Sequence, residues 1–104
     1  MIRGIGFIKV KYRVVDNEYF CRDYEGAEAA EEAAERLIED KLAEGVTIHV
    51  DKVAILQSSD GFKTCATVKE WIADYDDDKN TREGKPSLYG QDYDTWARFV
   101  EVER

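Results

Sequence analysis

The chain has 104 residues, 43% of them hydrophobic, and a net charge of −8. That size fits one domain, spanning residues 1–104, around one modest core. No apolar run approaches the ~20 residues that cross a bilayer. The start of the chain lacks the apolar segment and cleavage site of a signal peptide. So negative a surface repels nucleic acid and anionic membranes, which leaves basic protein surfaces as its natural complements, in the cytoplasm.

The charge is uneven. Arg3, Lys9, Lys11 and Arg13 make the first fifteen residues purely basic, whereas residues 16–44 hold eleven acidic and three basic residues. Ile8, Val10, Tyr12 and Val14 alternate with Lys9, Lys11 and Arg13, which predicts a strand with one buried and one cationic face. Its cations are expected to pair with acids across the sheet. Asp16-Asn17-Glu18 is turn chemistry, and Tyr19–Tyr24 completes a β-hairpin.

Gly26 to Ala43 predicts a helix, with Ala27, Ala30, Ala34, Leu37, Ile38 and Leu42 on one face and Gly45 as its stop. The other face carries Glu28, Glu31, Glu32, Glu35, Glu39 and Asp40 against only Arg36 and Lys41. Glu28–Glu32, Glu31–Glu35 and Glu35–Glu39 are like-charge pairs at i,i+4, each slightly destabilising. A helix built for stability alone would mix its charges, so this face is a candidate binding surface.

Val46, Ile48, Val50, Val53 and Ile55 predict a second long strand with a bulge near Asp51-Lys52. Ser58-Ser59-Asp60-Gly61 is a turn, and a strand follows from Phe62. Residues 67–75 fit either a strand or a short helix, because Thr67-Val68-Lys69-Glu70 matches a capping box. β-branched and aromatic content tips the balance to strand. Asp74 to Leu88 is polar, with an exposed acidic loop expected over 76–88, and Phe99 to Glu103 fits an edge strand. The fold class expected is α+β: an antiparallel sheet of four to five strands with one main helix on one face, in ββαββ order, and a short helix near 67–76 as the variant.

Catalytic chemistry is not expected. His49 is the single histidine, and no nucleophile is paired with it by spacing. Cys21 and Cys65 form no Cys-x-x-Cys pair and cannot build a common zinc site with one histidine; two reduced, half-buried thiols are expected, with a disulfide as the alternative. Asp74, Asp76, Asp78 and Asn80 alternate as in a calcium loop, but Lys79 and Lys85 stand where glycine and glutamate belong. No phosphate-binding glycine loop is present. The expected cofactor and metal content is therefore none.

The segment Tyr19 to Val50, with its helix written Glu28-Ala29-Ala30-Glu31-Glu32-Ala33-Ala34-Glu35, resembles the layout of small phage and mobile-element proteins, including anti-CRISPR inhibitors. The likeness covers about a third of the chain and carries no family motif. It implies an acidic inhibitor whose carboxylates stand in for phosphates in the nucleic-acid groove of a bacterial defence complex. The partner-binding residues expected are the six helix carboxylates with Asp74, Asp76, Asp77, Asp78, Tyr89 and Tyr93. The alternative is an assembly protein that self-associates or adds strands through its sheet edges.

Overall fold

The computed structural model describes residues 9–77, 79 and 96–103. In chain order the elements are β1 (Lys11–Asp16), β2 (Cys21–Tyr24), α1 (Ala27–Glu44), β3 (Lys52–Ser58), β4 (Ala66–Tyr75) and β5 (Ala97–Glu101). The strands form one antiparallel sheet in the order β2-β1-β3-β4-β5. With α1 laid on one face, this is the expected α+β class with the larger strand number. Asp78, Tyr89, Tyr93 and most of the expected 76–88 loop lie outside the described residues.

Alternation along the strands decides what α1 covers. The registers Val14↔Ile55, Val53↔Trp71 and Ala73↔Phe99 put these residues on the helix side. There Val14, Val53 and Ile55 are buried with Ala30 and Ala34 of α1, flanked by Leu37, Ile38, Trp71 and Phe99. A second cluster of Val46, Ala73 and Ala97 sits under Leu42 and Ile48. Ala30 and Ala34 let the first half of α1 approach the sheet closely, since a bulkier side chain there would hold it off.

The cations of β1 are used as the alternation predicts. Arg13 donates to both carboxylate oxygens of Asp23 on β2, at 2.5 and 3.0 Å, and its guanidinium lies 3.9 Å from the centre of the Phe62 ring. Lys9 and Lys11 both reach Glu25, at 3.1 and 3.7 Å.

Three expectations are corrected. Residues 46–51 are not strand: the N–H groups of Val50 and Asp51 donate to the Thr47 carbonyl, the Asp51 carboxylate accepts the Thr47 N–H, and His49 has φ 64°. The alternation of Val46 and Ile48 reflects loop residues folded under Leu42, and Val50 is exposed. The irregularity falls between Ile55 and Leu56 against β4, not at Asp51-Lys52. Cys21 and Cys65 are free and exposed, not half-buried, whereas residues 67–75 are strand throughout, as their β-branched and aromatic content favours.

The β3–β4 turn is held by Ser58, whose buried hydroxyl accepts the N–H groups of Asp60 and Phe62. The Asp60 carboxylate accepts the Thr64 hydroxyl and N–H and the Ser58 hydroxyl, which pull its pKa down to about 2.

Candidate functional site: the outer face of the helix and the groove beside it

Glu28, Glu32, Glu35, Glu39 and Asp40 are all exposed on α1. Glu31 is half-buried and accepts Lys69 Nζ at 2.7 Å, which raises the pKa of that lysine. The five exposed carboxylates enter no ion pair among the described residues. Five cations are engaged elsewhere: Lys9 and Lys11 with Glu25, Arg13 with Asp23, Lys41 with Asp16 and Glu18, and Lys69 with Glu31. The internal pairing of this fold therefore concentrates unneutralised charge on one surface.

Lys41 belongs to the core stripe, not to the acidic face where its charge had grouped it. It is 8% exposed and lies 2.9 Å from Asp16 and 3.0 Å from Glu18. That leaves Arg36 of the helix and Arg22 of β2 as the exposed cations beside these carboxylates.

Asp74 of the second acidic block does not join the first. Ala73 is buried on the helix side, so Asp74, its neighbour in β4, points to the opposite face of the sheet. Asp74 accepts the Tyr75 N–H at 2.8 Å and lies 3.0 Å from His49 Nε2, contacts that hold its pKa below the usual 3.8. The His49 ring also meets Tyr75 edge-on at 6.0 Å. Asp76 is half-buried and accepts the Lys79 N–H, whereas Asp77 is exposed. Strand alternation thus separates Asp74 from the helix carboxylates.

A groove runs between α1 and the edge strand β2. It opens as a cavity of ≈ 630 Å³ beside Arg22, Tyr24, Ala29 and Ala33, and continues as one of ≈ 170 Å³ beside Phe20 and Leu37. The helix supplies two parallel rows to it, each at four-residue steps: Glu28, Glu32, Arg36 and Asp40 on the rim, Ala29, Ala33 and Leu37 below. Sequence reasoning did not find this groove. Its signal was present as Phe20, Arg22 and Tyr24 alternating on β2 beside that alanine row.

Among the described residues no three His, Cys, Asp or Glu side chains gather as a metal site, and no helix is long and apolar enough to cross a membrane. Fold and site define a two-layer α+β protein with an acidic helix face and a groove at its sheet edge. No family model matches the chain, and no curated protein or solved structure shows a significant match to it.

Proposed function

We propose that this protein is a binding module that engages a basic protein surface through the outer face of α1. One observation carries the reading: Glu28, Glu32, Glu35, Glu39 and Asp40 are exposed and unpaired among the described residues, while Lys9, Lys11, Arg13, Lys41 and Lys69 are paired with other acids. Like-charge pairs on one helix face cost stability, so their retention fits a use outside the fold. A surface of this sign steers basic partners and weakens as salt screens it.

The basic surface proposed is one that otherwise holds nucleic acid, with the row of carboxylates occupying phosphate positions. Inhibition of a bacterial defence complex is the specific form of this proposal, and the layout resemblance of Tyr19 to Val50 is what supports that form.

The test is retention of partner by the tagged chain at low and raised salt, beside a variant with Glu28, Glu32, Glu35 and Glu39 all changed to lysine. The expected result is a partner shed by salt, displaced by added DNA or RNA, and not retained by the variant. Equal retention by the wild type and the variant would overturn the reading.

A further inference from the structure

We propose that the groove between β2 and α1 receives an extended segment of the partner protein, which joins the sheet as an added strand beside β2. This rests on the protein-binding reading above and specifies how the partner is gripped.

Among the described residues β2 is one edge of the sheet, and its Cys21, Arg22 and Asp23 are exposed. Asp16 N–H donates to the Phe20 carbonyl at 3.2 Å, and the antiparallel alternation continues from there. Opposite Val14 and Tyr12, the backbone groups of Arg22 and Tyr24 turn inward to β1. The N–H and C=O of Cys21 and Asp23 then point outward, where an incoming strand could pair with them. Charged residues on an edge often guard it against such pairing. Here one of the two charges on β2 is withdrawn: the Asp23 carboxylate is bonded to Arg13 on the face away from α1, and Arg22 lies along the groove.

The groove matches the dimensions of a strand. From Glu28 to Asp40, at ~1.5 Å per helical residue, its wall runs ~18 Å, the length of about five residues of extended chain. An added strand would lie ~4.8 Å outside β2 and send alternate side chains over Ala29, Ala33 and Leu37. The small alanines provide the space that a leucine row would fill. Glu28, Glu32 and Asp40 outnumber the groove's two arginines, Arg36 and Arg22, the latter 5.8 Å from the Phe20 ring. The occupant that fits alternates apolar residues with lysine or arginine, whose alkyl stems cover the alanines while the charges reach the rim.

The test uses the whole ¹⁵N,¹³C-labelled chain and a seven-residue peptide alternating valine and lysine, with blocked ends. Two controls accompany it: the valine–glutamate counterpart, and the lysine peptide N-methylated at alternate residues, which removes the pairing edge without altering the protein. The expected result is shifted, exchange-protected amides at Cys21 and Asp23, shifted methyls at Ala29, Ala33 and Leu37, and at least roughly tenfold weaker binding of the methylated and acidic peptides. Three results would overturn the proposal: shifts confined to Glu35 and Glu39 with no effect of methylation, shifts along β5, or no shift with about 1 mM peptide. The first of these leaves the acidic-face reading standing. Failure of that reading is seen separately, as partner retention that ignores the lysine reversals.

Discussion

Lys41 Nζ stands 2.9 Å from Asp16 Oδ2, and both side chains are almost wholly buried, so the last turns of α1 are tied to the β1–β2 hairpin by an ion pair inside the protein. Asp16 is committed on its other oxygen as well, accepting the N–H groups of Glu18 and Phe20 at 2.9 and 2.8 Å. Removing one partner of a buried pair leaves the other charged and desolvated, typically a loss of ~3–5 kcal/mol. Lys41→Met is expected to lower the unfolding free energy by that amount in urea titrations. Adding Asp16→Asn should recover part of it, because Asn keeps an oxygen for the two N–H groups. A loss below about 1 kcal/mol for Lys41→Met would refute the buried-pair account.

The same pair shapes the response to pH. Burial alone would raise the Asp16 pKa, but the bond from Lys41 and the two backbone N–H groups bring it below 3.8. A depressed carboxyl stabilises the fold above its unfolded pKa, and that contribution disappears as pH falls through the folded value. Burial would lower Lys41, yet its bonds to Asp16 and Glu18 raise it above 10.5. A raised lysine stabilises below its unfolded pKa and loses that contribution as pH rises through the folded one. Stability contributed by the pair should therefore be level between about pH 4 and 10.5 and decline outside. Chemical denaturation across pH should show a smaller acid decline in Lys41→Met, because losing that bond lets burial raise the folded Asp16 pKa towards its unfolded value.

How far the sequence foretold the molecule depends on which forces act locally. The hairpin, α1 and the cationic face of β1 were legible because alternation and helical spacing are short-range patterns. Lys41 was misplaced by charge type, although its spacing from Leu37 and Ile38 sets it on the core stripe. The segment Val46–Val50 alternates like a strand, but the Asp51 carboxylate and the Thr47 carbonyl turn it back, and that contest is settled by tertiary packing under Leu42. The separation of Asp74 from the helix carboxylates needed the register of β4, which no local pattern contains. The groove beside β2 is likewise a product of strand order.

His49 occupies left-handed backbone at φ 64°, while its imidazole contacts Asp74 in an exposed position. Glycine takes such a φ freely, and a β-branched residue resists it most. The contact with Asp74 is exposed and worth at most ~1 kcal/mol. His49→Gly is thus expected to be close to neutral in thermal melts, and His49→Val to cost at least ~1 kcal/mol. If valine proves as stable as glycine, the turn is not fixed by backbone strain.

Cys21 lies in β2 and Cys65 immediately precedes β4, with β1 and β3 between those strands. Three strand spacings put their Cα atoms ~14 Å or more apart, whereas a disulfide needs less than ~7 Å. Thiol titration of the native protein should count two reactive groups. Under oxidants, non-reducing gels should show disulfide-linked dimers with no cross-linked monomer. A monomer that loses both thiols to one disulfide would contradict the strand order.

The acidic helix face makes opposing demands on stability and binding that can be separated at Glu35. Glu35 stands four residues from both Glu31 and Glu39, so a lysine there converts two repulsive pairs into attractive ones. It is exposed and forms no ion pair among the described residues, and no packing is lost in the exchange. At ~0.2–0.5 kcal/mol per pair, relief of repulsion plus new attraction should stabilise Glu35→Lys by roughly 1 kcal/mol in low salt, less as salt is added. The same substitution should weaken capture of a basic partner. Urea titrations and partner retention on one set of samples therefore test whether the protein keeps this charge at the expense of its own stability. A variant that gains stability and binds unchanged would show that Glu35 lies outside the contact, and one that gains nothing would show that the helix glutamates do not repel one another measurably.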